Sequence, residues 1–90
     1  MRFEMQIMNI FRLSNGVTVI GGIISNNIEM IGKCRCALYC DSVFMQSVDC
    51  EGEQIVKKHS PNNLRALAFS QQVALTSIEA QSGRWKLLCD

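Results

Sequence analysis

The dipeptide Asn15-Gly16 stands between two apolar runs, and it constrains the fold more than any other feature of this chain. Both residue types tolerate positive φ, so Asn-Gly between apolar segments is the strongest short-range hairpin signal. Before it, residues 3 to 13 alternate. Phe3, Met5, Ile7, Phe11 and Leu13 share one parity, broken by Asn9, while Glu4, Gln6 and Arg12 share the other, with Met8 and Ile10 as exceptions. A period of two with one face inward is a strand pattern. After it, Val17 to Ile24 is the returning strand, because Val17, Thr18, Val19 and Ile20 are β-branched and favour extended backbone. Gly21-Gly22 interrupts this strand and predicts a bulge, or a backbone approached closely by another element.

The rest of the chain repeats this rhythm. Asn26-Asn27 predicts a turn, and Ile28 to Ile31 is a short apolar segment ending at Gly32. Lys33 to Cys40 reads as a strand, with Arg35, Ala37, Tyr39 and Asp41 outward. Asp41-Ser42 predicts a turn, Val43 to Val48 another strand, and Asp49 to Glu53 a polar turn. Ile55-Val56 forms an apolar island, and Lys57 to Asn63 an exposed loop. Ser60-Pro61 can cap a short helix through Phe69, with Leu64, Leu67 and Ala68 on one face. Gln72 to Glu79 returns to β character. Gln81-Ser82-Gly83 is a turn, and Arg84 to Cys89 alternates with Trp85, Leu87 and Cys89 inward. Closely spaced turns leave no room for the crossover helices of a parallel sheet. The expected fold is all-β: a small closed or partly open antiparallel barrel of six to eight short strands, with at most one short helix near residues 61–69.

Length and charge then exclude whole classes. The chain has 90 residues, 48% apolar, with a net charge of +1. That is one domain, 1–90, with enough apolar content for one core. A multi-domain enzyme, a disordered tail and a basic arm are all excluded. Arg2 and Glu4 occupy the first residues and no apolar stretch of the leader type follows, so no signal peptide is expected. Val17 to Ile24 is far short of the roughly 20 apolar residues that cross a bilayer. The expected setting is cytoplasmic, away from membranes.

Five cysteines carry most of the potential chemistry: Cys34, Cys36, Cys40, Cys50 and Cys89. An odd number fits a closed disulfide framework poorly. On a strand, residues 34, 36, 38 and 40 share one face, so three of the thiols form an interior row with Leu38. Buried core thiols are the expected role, because a free Cys behaves as a small hydrophobe. Two alternatives stay open. Cys34, Cys36, Cys40 and Cys50 supply four thiolates for a metal, although Cys34-x-Cys36 is tighter than the usual zinc knuckle. Redox or disulfide use is the other.

Other site chemistry is sparse. The chain contains neither GxxxxGK[ST] nor GxGxxG, so no phosphate loop is expected. His59 lies in the most polar stretch, and Glu51 and Glu53 flank Gly52 at a predicted turn, so neither assembles a catalytic pair. No enzyme activity, catalytic residue or cofactor is expected. A nucleic-acid contact would use Arg35, Lys57, Lys58 and Arg65 with Tyr39 as a stacking platform. The small net charge argues against strong phosphate neutralisation.

Gly16, Val19, Gly22 and Ile24, followed by Ile28 and Ile31-Gly32, resemble the translation-protein β-barrel, the second domain of elongation factor Tu-like translational GTPases. In that family a G-x-V-x-x-G-x-V strand precedes a G-x-I-x-x-G segment, and Asn27 stands here where the family has glycine. Gln72-Val73-Ala74-Leu75 resembles a late family strand, without its glycine near Ser70. Ser82-Gly83 before Leu87-Leu88 resembles the closing G-x-x-L. The resemblance implies turn glycines at Gly16, Gly22, Gly32 and Gly83, and a barrel that packs against another protein or RNA. It implies no GTP hydrolysis, because no GTPase domain accompanies it. The expected function is a non-catalytic interaction or regulatory module, partnered by another protein or by itself as a homodimer. The alternatives are an RNA-binding barrel associated with translation, and a small metal-binding or enzymatic domain.

Overall fold

The computed structural model describes residues 3–25, 31–53, 64–70 and 73–89. Among these residues, six strands and one helical turn follow in order: β1 (Phe3–Arg12), β2 (Thr18–Ile24), β3 (Cys34–Cys40), β4 (Val43–Glu53), β5 (Leu64–Phe69), α1 (Ser77–Ala80) and β6 (Trp85–Cys89). The strands close into a barrel in the order β1-β2-β5-β4-β3-β6, and β6 returns to β1. Every pairing is antiparallel. The expected all-β barrel is therefore the fold, in its closed form with six strands and one short helical segment. Closure leaves no free strand edge among the described strands, so pairing of exposed edges offers no route to a homodimer.

Two tight turns set the register. Gly16 donates its N–H to the Leu13 carbonyl at 3.1 Å and sits at φ +90°, and Leu13 N–H reaches the Val17 carbonyl at 2.8 Å. Asn15 contributes its side chain, with Oδ1 accepting from Val17 N–H at 3.1 Å. Asp41 and Ser42, at φ 51° and 70°, form the two-residue turn that joins β3 to β4. Positive φ at both central residues matches the right-handed twist of the strands they join.

The glycine pair in β2 lies where another backbone comes close. β1 carries a bulge between Ile7 and Asn9, opposite Gly22 and Gly21. A Cβ at Gly22 would lie 2.3 Å from the Gln6 carbonyl oxygen. The bulge also reverses the parity of β1. Phe3, Met5 and Ile7 point inward, then Ile10 takes the interior and Phe11 and Leu13 are exposed. Phe11 and Leu13 were expected inside; an extra residue on one strand is what turns them out.

The interior is filled by Met5, Ile7, Ile20, Leu38, Val48, Leu67, Phe69 and Leu87, all essentially inaccessible. Burying each such side chain contributes about 1.5–3 kcal/mol. Val73, Leu75 and Ala80 are buried as well. The Arg12 guanidinium holds this segment by donating to the carbonyls of Val73 at 2.7 Å and Leu75 at 2.9 Å. Among the described residues, no buried side-chain nitrogen or oxygen lacks a hydrogen-bond partner.

Three local expectations are corrected. Residues 64–69 form β5, paired along β2, and the helical turn lies instead at Ser77–Ala80. It starts with a capping box: Glu79 N–H donates to Thr76 Oγ1 at 3.1 Å and Thr76 N–H to Glu79 Oε1 at 3.0 Å. Residues 73–79 are accordingly not a strand. Asp49 to Glu53 continues β4, with a register shift between Cys50 and Gly52 and Gly52 at φ +134°. The turn read at Asn26-Asn27, the apolar residues 28–30, the Ile55-Val56 island, the 57–63 loop and His59 lie outside the described residues.

Candidate metal and thiol centre

Barrel closure gathers the cysteines. β3 lies between β4 and β6, so Cys34 pairs with Cys50 on one side and Cys36 pairs with Cys89 on the other. Alternation turns residues 34 and 36 to the same face. Cys36, Cys50 and Cys89 are buried, and Cys34 is half-buried. The register row through Cys89 continues to Phe3 in β1, and the row through Cys50 continues to Phe69 in β5. Both aromatics belong to the same buried cluster as the cysteines, so the surroundings are apolar.

The Sγ atoms of Cys34, Cys36 and Cys89 all lie within 4.8 Å of one another. Cys34 and Cys89 are joined as a disulfide across β3 and β6, with Cα atoms 6.7 Å apart. Cys36 Sγ stands 3.8 Å from Cys34 Sγ. Cys50 adjoins from the other side. Interaction with the Cys50 thiol, together with burial, pushes the Cys36 thiol far up. The same interaction lowers Cys50, assisted by the Gly52 backbone and opposed by burial and by the Glu51 and Glu53 carboxylates. Hydrogen bonding to a charged form favours that form, and desolvation disfavours it.

The cysteines thus depart from the expected buried free thiols in two respects: Cys34 and Cys89 are paired with each other, and Cys34 and Cys40 are only half-buried. The metal alternative also changes membership. Cys40 lies at the other end of β3, opposite Val43 and Trp85, and neither it nor Cys50 is in the group, whereas Cys89 is. Cys89 is 39 residues beyond Cys50, and nothing local in the chain relates the two. Its inward parity with Trp85 and Leu87 was readable; its neighbour across the sheet was not.

The described residues considered for nucleic-acid contact each have a partner within the barrel. Arg35 pairs with Asp49 at 2.8 Å on the surface. Arg65 is mostly buried and grips Glu53 with two bonds, Nε to Oε2 at 2.6 Å and Nη2 to Oε1 at 3.1 Å. Tyr39 packs edge-to-face on Phe44 with ring centroids 5.8 Å apart. Lys57 and Lys58 lie outside the described residues. Of the glycines expected at turns, Gly16 and Gly83 hold positive φ in turns. Gly22 lies within β2, and Gly32 precedes β3 at a position where a side chain would meet open space. The carboxylates Glu51 and Glu53 are separately engaged, Glu51 with Ser70 at 2.9 Å and Glu53 with Arg65.

No protein-family model, curated protein or solved structure matches this chain. The resemblance to the translation-protein barrel is therefore withdrawn, and with it the elongation-factor likeness. The fold agrees, since residues 73–75, which carried the late-strand part of the likeness, are not a strand. Among the described residues no helix is long and apolar enough to cross a membrane.

Proposed function

We propose that this barrel binds one thiophilic metal ion through Cys34, Cys36 and Cys89 when these cysteines are reduced. The observation that carries the reading is the convergence of three sulfurs within 4.8 Å of one another, supplied by two adjacent strands of a closed barrel. Thiolates are soft ligands and select Cu(I), Zn(II) and related ions over hard cations. Strands hold the three sulfurs on a rigid frame, so little ordering remains to be done on binding. Cys50 adjoins Cys36 from outside the group, and with Cys36 bound to the ion as a thiolate the Cys50 S–H would donate to that sulfur as an outer partner.

The test is a titration of the fully reduced protein with Cd(II) under anaerobic conditions, read by sulfur-to-cadmium charge-transfer absorption. One ion per chain is expected. Cys36→Ser and Cys89→Ser lose the band, and Cys40→Ser keeps it. Absence of the band in the reduced wild-type protein, or equal binding by Cys36→Ser, overturns the reading.

A second reading, docking against another protein, is supported by a different place on the surface. Val43, Phe44 and Met45, at the start of β4, are 60%, 55% and 51% exposed.

A further inference from the structure

We propose that the metal site is gated by oxidation: formation of the Cys34–Cys89 disulfide expels the ion. This inference rests on the metal-binding reading above and assigns its regulation. The two sulfurs joined in the structure are two of the three that converge. A sulfur in a disulfide has no thiolate charge to offer a cation, so the bonded pair and the three-thiolate site exclude each other. Oxidation leaves Cys36 as the single remaining ligand, and one buried thiolate does not hold an ion that three held.

Cys34 is the diagonal neighbour of Cys89 across β3 and β6, and their Cα separation of 6.7 Å lies at the upper end of the range over which disulfides close, about 4.4–6.8 Å. Access is graded as well. Cys34 is half-buried at the start of β3, while Cys36 and Cys89 are buried. An oxidant arriving from solvent therefore meets Cys34 first. With a small-molecule disulfide such as oxidised glutathione, the Cys34 thiolate attacks one sulfur of the oxidant and one glutathione thiolate leaves. The Cys89 thiolate then attacks Cys34 Sγ, and the second glutathione thiolate leaves. Two electrons pass from the protein to the oxidant, one protein S–S bond forms, one oxidant S–S bond breaks, and the ion departs with its charge unchanged. A small thiol in excess runs the same steps backwards, because exchange proceeds through a mixed disulfide in either direction.

The experiment loads the reduced protein with Cd(II), removes excess ion, and adds oxidised glutathione in the absence of oxygen. Free cadmium is followed with a chromophoric chelator, and linkages are mapped by alkylation and peptide mass spectrometry. Expected are complete loss of the charge-transfer band, release of one ion per chain, and a Cys34–Cys89 link, all reversed by excess reduced glutathione and fresh Cd(II). Cys40→Ser should behave as the wild type. Cys34→Ser should form no such link, and if that variant does not fold, the wild-type linkage map decides alone. A loaded protein that keeps its ion after oxidation, or that releases it while another pair is linked, overturns the gating and leaves the metal reading standing. A reduced protein that takes up no cadmium at the outset overturns both.

Discussion

Replacing Gly22 by alanine should destabilise the barrel far more than the same change at Gly21. Neither glycine has positive φ, so the difference is one of space alone. A Cβ at Gly22 would stand 2.3 Å from the Gln6 carbonyl oxygen and 2.7 Å from Met5 Cγ, where ordinary contact begins at 3.4 Å. The deficit against the oxygen is about 1 Å, and the obstacle is backbone. Gln6 cannot retreat freely, because β1 is paired on its other side with β6 at Lys86. Overpacking of this kind costs about 1–3 kcal/mol. Opening the β1–β2 ladder loses a further hydrogen bond or two at about 0.5–1.5 kcal/mol each. A total near 3 kcal/mol lowers Tm by roughly 12–24 °C for a domain of this size. At Gly21 the nearest atom is Asn9 Oδ1 at 2.5 Å, the far end of a side chain that can swing away. Alanine there also narrows the unfolded ensemble, a gain of about 0.4–1 kcal/mol, so the net change should stay within about 1 kcal/mol. Urea unfolding of both variants under reducing conditions, followed by fluorescence of the buried Trp85, measures the contrast. Equal stability of the two variants would refute the close approach as the reason for the glycine pair.

Two further outcomes are expected. Glu53→Gln removes one charge from a pair whose side chains are only 13% and 14% exposed and weakens acceptance from the Ile31 N–H, now at 3.1 Å; the loss should be about 2–3 kcal/mol, below the full value for a completely buried pair, and chemical denaturation that shows less than about 0.5 kcal/mol contradicts it. The Arg84 guanidinium beside Asp41 holds that carboxyl below the usual carboxylate range. The pair's contribution is therefore complete above the unfolded value near 3.9 and disappears as pH falls through the lower folded value. A carboxyl NMR titration should place the Asp41 midpoint below that of a free aspartate, and Arg84→Gln should restore it.

Much of the barrel was legible where local chemistry and global fold agree. Asn15-Gly16 and Asp41-Ser42 are turns because of their own backbone preferences, and Trp85, Leu87 and Cys89 alternate inward as their sequence parity requires. The misreadings have separable causes. Leu64, Leu67 and Ala68 fit a helical face, but pairing with both β2 and β4 overrides that spacing. Thr76 and Glu79 carry a capping box three residues apart, a signal of the helical turn outweighed by the β-rich residues before it. The single bulged residue in β1 could not be placed from hydrophobicity, and it reassigns Ile10, Phe11 and Leu13 together. At the site, the common face of Cys34 and Cys36 was readable. The inclusion of Cys89 was not, because it depends on which strand lies beside β3.

β6 has a consequence for the order of assembly. Among the described strands it comes after the others in sequence, and it fills the gap between β1 and β3. Without it the order β1-β2-β5-β4-β3 leaves two unpaired margins, and the register that sets Cys89 beside Cys36 does not exist. The third sulfur is thus delivered by the same event that seals the cylinder, so capture of an ion would report that folding has gone to completion.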